Sequence, residues 1–216
     1  DGRVVHLRGY GDDGTGRAVT PQTGFILGSM SKAFTALVAM QLVEGGKLAL
    51  DAPVQDYLPW FKVADPEASR RMTVRHLLHH TSGLPTTARR ARTDPATLQD
   101  HVRALAEDEL VHALGEVHEY SSPNYLVLGA IIEQAGGRSF AEQVQEGVFT
   151  PLGMSHSFTS PPSATLDSMA PMARGHRYWF GFPRPADLAH EADRLPTAAL
   201  ISSAEDLGRF LSALLG

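Results

Sequence analysis

The chain has 216 residues, 43% hydrophobic and 20% charged, which suits one ordinary domain or two intergrown subdomains and excludes disordered or coiled-coil character. Its net charge of -5 comes from acidic and basic residues mixed along the chain, without the basic face or stripe that a nucleic-acid partner requires. No cysteine is present, so disulfides, thiolate metal sites and a cysteine nucleophile are all excluded.

Val4, Val5 and Leu7 lie in a run with strand propensity that the Gly-rich stretch from Gly9 to Gly16 ends, and Phe25-Ile26-Leu27 reads as its hairpin partner. Gly9, Gly11 and Gly14 spell G-x-G-x-x-G. A dinucleotide fingerprint also needs a helix opening at that point, and a new strand follows instead, so a hairpin turn is the better account. From Ser29 to Glu44 the apolar spacing becomes helical through Phe34, Leu37, Val38, Leu42 and Val43, with Gly45-Gly46 as the stop.

Thr73 is the expected cap of a second helix through Leu77 and Leu78 to about His80. Asp94-Pro95 reads as a cap followed by proline, opening helical segments to about Ala113. Ser122-Pro123 repeats that signature for a helix closed by Gly136-Gly137, and a shorter helix is expected over Phe140 to Val148. The stretch Pro151 to Leu200 reads as long ordered loop. Ser202-x-x-Glu205 looks like a capping box opening a last helix. The longest nearly apolar stretch, Tyr125 to Ile132, is far short of the ~20 residues of a membrane span.

Chemistry concentrates at Gly28-Ser29-Met30-Ser31-Lys32. Ser29 and Lys32 are three apart, so a helix sets them on one face. A serine hydroxyl needs a neighbour to accept its proton, and a lysine of lowered pKa is one such acceptor. The helix N-terminus favours a developing oxyanion. The same spacing also describes a serine-capped helix with a solvated lysine, so the surrounding segments decide.

Phe25-Ile-Leu-Gly-Ser-Met-Ser-Lys-Ala-Phe-Thr-Ala36 resembles the nucleophile segment of class C β-lactamases, D-alanyl-D-alanine carboxypeptidases and their esterase relatives, the serine β-lactamase and penicillin-binding-protein family. Leu77-Leu-His-His-Thr-Ser-Gly-Leu-Pro85, Tyr120-Ser-Ser-Pro-Asn-Tyr-Leu-Val-Leu-Gly-Ala-Ile-Ile-Glu133, Phe149-Thr-Pro-Leu-Gly-Met154 and Ser202-Ser-Ala-Glu-Asp-Leu207 resemble further family segments, in family order.

The resemblance implies an α+β fold of β-lactamase/transpeptidase type: an antiparallel sheet flanked by helices with an inserted helical subdomain. The sheet side would comprise about 1–50 and 201–216, and the helical and loop subdomain about 51–200. It implies Ser29 as the acyl-forming nucleophile, Lys32 as holder or relay of its proton, and Tyr120 as acid or base near the leaving group. Which of Lys32 and Tyr120 takes the first proton stays open. Gly28 and Ser122 are the expected substrate-binding residues, and the Ser29 N–H would be half of an oxyanion hole.

Substrates implied are D-Ala peptides of the peptidoglycan kind, β-lactams or simple esters. No metal or organic cofactor is implied, the oligomeric state is open, and export to the bacterial periplasm or cell surface is a family expectation.

Two departures count. Ser122 replaces the Asn of the family's Tyr-x-Asn, with fewer donors and less reach. That favours a carboxypeptidase or esterase over a dedicated β-lactamase, and capping of the next helix is the alternative role for Ser122. The family's third motif, a Lys, His or Trp followed by x-Gly after the Ser202 helix, is absent. Trp179-Phe180-Gly181 has the letters in the wrong place and reads as loop-core aromatics. The chain begins at Asp1 without a signal peptide, and both ends read as cut.

The rival from another class is a non-catalytic binding or sensing relative that keeps the fold. His76, His79 and His80 lack the glutamate of a zinc helix. His118 and Asp108 lack the serine elbow of a triad. Ser-Asp-Asn of class A β-lactamases is absent. Arg89-Arg90-Ala91-Arg92 reads as a solvated loop.

Overall fold

Ser31, Lys32, Phe34, Thr35, Val38 and Ala39 bury one side of the helix that the apolar spacing anticipated, and this helix organises the region around the expected site. The computed structural model describes residues 4–86, 97–160, 172–186 and 192–216. Arg89-Arg90-Ala91-Arg92 and the Asp94-Pro95 cap lie outside the described residues.

In order, the elements are β1 Phe25–Ile26, a 3-10 turn Gly28–Met30, α1 Ser31–Glu44, α2 Val54–Tyr57, α3 Pro66–Arg71, α4 Val74–Leu78 and α5 Leu98–Arg103, which runs into a 3-10 turn Ala104–Glu107. There follow α6 Ser122–Gly136, α7 Phe140–Val144 with a wide turn Gln145–Phe149, β2 Gly175–Trp179, β3 Phe182–Ala186, turns at Ala192–Arg194 and Leu195–Ala199, β4 Ile201–Ser202 and α8 Ala204–Leu215. Helices with short antiparallel strand pairs make this an α+β chain. Among the described residues no helix is long and apolar enough to cross a membrane.

The described residues cluster into two compact units. One draws on Asp1–Gly28, Gln145–Ala192 and Ala199–Gly216, the other on Ser29–Val144 and Asp193–Ala198. In the first, β1 pairs antiparallel with β4, Phe25 opposite Ser202 and Ile26 opposite Ile201. This corrects the expected hairpin between Val4–Leu7 and Phe25–Leu27. Val4 and Val5 stay exposed and form no strand, because the partner that satisfies β1 lies some 175 residues downstream and is itself fully buried at Ile201.

The Gly-rich stretch does turn the chain, with Asp12 bridging Ala18 and no helix opening there. A Cβ on Gly9 would meet the Val19 carbonyl oxygen at 1.8 Å, so the close backbone approach requires glycine.

The turn is held by a buried carboxylate. Asp13 Oδ1 accepts from the Thr15 N–H at 2.9 Å and the Thr15 hydroxyl at 2.6 Å, and Arg17 Nε reaches Oδ2 at 2.8 Å. Burial pushes this carboxyl up, but the hydrogen bonds from Thr15 and Arg17 outweigh it and bring its pKa from 3.8 to about 2. A carboxyl whose pKa is lower folded than unfolded stabilises the fold above the unfolded value, and that contribution disappears as pH falls from 3.8 toward 2. Asp13→Asn is therefore expected to cost about 1–3 kcal/mol at neutral pH and to flatten the acid limb of a thermal-unfolding series. An unchanged acid limb would refute the assignment.

In the second unit α6 is the central element. Pro123 through Ile132 are all buried, the pattern of a core helix rather than a surface one. It packs against α1, α2, α4, α5 and α7 and ends at Gly137, whose φ of 70° suits a left-handed cap. α4 starts where expected: the Thr73 hydroxyl accepts from the His76 N–H, and His76 Nδ1 accepts from the Thr73 N–H in return.

Two caps fall one residue from expectation. The helix after Tyr120 is capped at Ser121, which leaves Ser122 as its first helical residue. The last helix is capped by Ser203, whose side chain accepts from Asp206 N, while Ser202 is taken up by β4. The stretch read as loop contains a further hairpin: β2 and β3 pair antiparallel, joined by Phe180-Gly181 at φ 47° and 81°, a turn with both central residues left-handed. Trp179 is 65% exposed there, not a loop-core aromatic.

Candidate active site

The backbone enters the site through Gly28, at φ 56°, and Ser29 stands exposed in the 3-10 turn one step before α1. Lys32, in the first turn of α1, is buried to 6% exposure, an unusual depth for an ammonium. It is satisfied by two acceptors: Nζ donates to Ser29 Oγ at 3.4 Å and to the Thr197 carbonyl at 3.0 Å. Thr197 belongs to a segment distant in sequence that α1 also holds one turn further on, where the Thr35 hydroxyl donates to the Pro196 carbonyl at 2.7 Å.

The same segment rests on α6 at Gly129. A Cβ there would meet Pro196 Cγ at 2.3 Å and Cβ at 2.8 Å. A pyrrolidine ring cannot swing aside, so Gly129→Ala is expected to cost about 1–3 kcal/mol through overpacking. Thermal unfolding of the variant checks this, and an unshifted transition would show that the contact relaxes freely.

Tyr120 comes from the irregular segment before α6, and its hydroxyl donates to Ser29 Oγ at 2.7 Å. Lys32 Nζ lies 5.0 Å from the centroid of its ring and 5.8 Å from that of Tyr125, within cation–π range. Partial burial pushes the Tyr120 phenol up. Hydrogen bonding and charge from Lys32, with hydrogen bonds from Ser29 and Ser122, outweigh that and leave it below its ordinary 10.0. A serine hydroxyl in contact with a depressed-pKa phenol and beside a buried ammonium has a ready acceptor for its proton.

Of the residues expected from sequence, Ser29, Lys32 and Tyr120 are thus brought into mutual contact, and Ser122 sits close enough to act on the Tyr120 phenol. Ser122 is the first helical residue and not the cap; Ser121 holds the cap position in extended conformation, with its N–H donating to His80 and its hydroxyl to the Pro85 carbonyl, and makes no side-chain cap bond. His76 is spent on the α4 cap, and His80 Nδ1 faces Ser121 and Asn124. Among the described residues no cluster of three metal-ligating side chains occurs. His118 lies edge-on to His80 at 5.9 Å.

Sequence reasoning missed the Thr197 carbonyl, which has no side-chain signature. It also missed His80 as a neighbour of Tyr120 and Asn124 as a partner of His80, although both stand inside the segments that carried the resemblance.

The beta-lactamase family model matches residues 1–216. Penicillin-binding protein 4 of Amycolatopsis lactamdurans is 41% identical over 153 residues, covering 70% of this chain and 40% of that protein. The crystal structure of FmtA from Staphylococcus aureus superposes with a TM-score of 0.80 at 27% identity, over 96% of this chain and 56% of that one. EstCE1, described as a hydrolase with promiscuous acyltransferase activity, superposes at 0.79 and 26% identity, over 95% of this chain and 62% of that one. The chain therefore spans less than two thirds of the length of each of these relatives. Sequence and structure agree on the assignment: this chain belongs to the beta-lactamase family.

Proposed function

We propose that the chain is a serine hydrolase working through an acyl-Ser29 intermediate on D-Ala peptides, β-lactams or esters, with both units parts of one catalytic domain. The observation that carries this reading is Ser29, an exposed residue whose Oγ lies 2.7 Å from the Tyr120 hydroxyl and 3.4 Å from Lys32 Nζ. In its phenolate form Tyr120 takes the Oγ proton as Oγ bonds to the carbonyl carbon of the substrate. The oxyanion formed faces the Ser29 backbone N–H, where a Cβ on Gly28 would meet no atom within 4 Å, so substrate can approach the chain closely. Tyr120 then returns the proton to the leaving group, which departs neutral, and water repeats the sequence to release the acid. Lys32 stays charged throughout and stabilises the phenolate.

Ser122, next to the phenol with a single hydroxyl donor, supports a carboxypeptidase or esterase over a dedicated β-lactamase. Likeness to a penicillin-binding protein and to a solved hydrolase supports the reaction class. Placement in the bacterial periplasm or at the cell surface belongs to the same proposal.

The test is intact-mass measurement of the chain after incubation with a penicillin, followed by digestion to locate any adduct. Addition of one whole penicillin to the peptide holding Ser29 is the expected result. If no adduct forms, and neither a nitrophenyl ester nor a D-Ala-D-Ala peptide is cleaved, the chain is a binder and the proposal fails.

A further inference from the structure

His80 has no part in the chemistry above, yet it contacts the Tyr120 ring and the backbone of both residues that flank it. Its ring contacts two tyrosine rings, with centroids 4.9 Å from Tyr120 and 5.1 Å from Tyr125 and tilts of 37° and 31°. Its backbone carbonyl accepts from the Glu119 N–H at 2.9 Å, and its Nδ1 accepts from the Ser121 N–H at 3.2 Å. One residue therefore holds the peptide on both sides of Tyr120. It reaches this position with φ at 55°, a left-handed conformation that a residue with a side chain adopts only at a cost.

The state of the ring follows from its partners. Asn124 Oδ1 accepts from the Ser82 hydroxyl at 2.5 Å, so the Asn124 amide nitrogen is the atom that faces His80 Nδ1, at 3.1 Å. Two donors aimed at Nδ1 require a lone pair there, which puts the proton of the neutral ring on Nε2. Charging the ring would break both contacts. Burial first, then the neighbouring His118 and Lys32, hold the imidazole below its ordinary pKa. The two phenols also face the ring, whereas Glu119 meets His80 through its backbone N–H and its carboxylate is paired with His112.

We propose that His80 is a positioning residue, a neutral clamp that grips the backbone on either side of Tyr120 and presses its phenol toward Ser29 and Lys32. This rests on reading Tyr120 as the proton carrier. A plain packing role would leave the phenol's electrostatics untouched when the ring is removed, whereas a clamp would let the phenol drift from Lys32 and lose the charge that stabilises its anion.

The experiment is an NMR titration of the full chain labelled at tyrosine Cζ, with the Tyr120 signal assigned through Tyr120→Phe. His80→Ala is expected to raise the Tyr120 titration toward 10.0 and to slow acylation of Ser29 by about 10²-fold, the scale of an ångström-sized misplacement, with KM within threefold. His80→Asn, which tolerates the left-handed backbone and offers Oδ1 to the Ser121 N–H, is expected to recover about tenfold of that rate. A His80→Ala chain that is folded, titrates at Tyr120 as wild type does and acylates within threefold of it overturns the proposal.

Nitrogen NMR of His80 in the wild-type chain gives a second decision that needs no variant: an Nε2–H ring supports the clamp, an Nδ1–H ring overturns it. Neither titration requires turnover. A chain that is never acylated but shows the Tyr120 shift in His80→Ala would sink the hydrolase reading and leave the His80 assignment standing.

Discussion

Ser29→Ala is expected to remove the covalent adduct completely and to lower turnover of any accepted substrate by at least about 10³-fold, the scale seen when a nucleophile is deleted from a preorganised site. The reason is geometric. The Ser29 oxygen is the point on which the Tyr120 hydroxyl and the Lys32 ammonium converge, at 2.7 and 3.4 Å. With the oxygen gone, both groups keep their positions but have no hydroxyl to activate. Ser29 is exposed, but its Oγ is one of two acceptors of the buried Lys32 ammonium, so its truncation is expected to cost about 1 kcal/mol, with the Thr197 carbonyl keeping the other contact. Intact mass, initial rates and thermal unfolding on the same sample separate loss of chemistry from loss of fold. A variant that still gains the penicillin mass would move the nucleophile to another side chain.

Tyr120→Phe is the second large effect, an expected drop in kcat of about 10²–10⁴-fold with KM changed only a few fold, as for loss of a group that moves a proton in the transition state. The sign of the pH dependence follows from the phenol's surroundings. Its active form as base is the anion, whose fraction grows with pH. Burial opposes the anion, while Lys32, Ser29 and Ser122 favour it and prevail. The acid limb of kcat/KM in the wild-type chain is therefore expected below pH 10 and should be missing in Tyr120→Phe. The phenol is partly exposed and its hydroxyl bonds to an exposed serine, so the folded state should hardly notice the change. Retention of the wild-type limb in Tyr120→Phe would assign it to another group and return the first proton to Lys32.

His80 and Thr197 give these two residues their setting. A buried ammonium is tolerable only with acceptors in place, and Lys32 finds one in a backbone carbonyl contributed from 165 residues away. The phenol needs a fixed ring plane, and the His80 clamp, itself in contact with the Tyr125 ring, supplies one.

Much of this was local enough to read from the amino acids alone. The three-residue spacing of Ser29 and Lys32 sets their proximity wherever a helical turn forms, and apolar spacing together with Gly45 after α1, Thr73 before α4 and Gly137 after α6 marks those helices. Family membership was legible too, because the matching segments hold their order along the chain.

Tertiary structure decided what depends on partners far away in sequence. Adjacent serines look alike in sequence until distant partners sort them: His80 and the Pro85 carbonyl hold Ser121 extended so that the helix starts at Ser122, and pairing of Ser202 with Phe25 leaves the last cap to Ser203. Phe25–Ile26 chose Ile201–Ser202 over the nearby Val4–Leu7 because the distant strand is buried and the near one is exposed. The β2–β3 hairpin stayed hidden because Pro183 and Pro185 read as breakers, although proline is tolerated in an exposed two-stranded ribbon. The Thr197 carbonyl that receives Lys32 is a backbone atom that every residue carries, so only the folded chain can single it out.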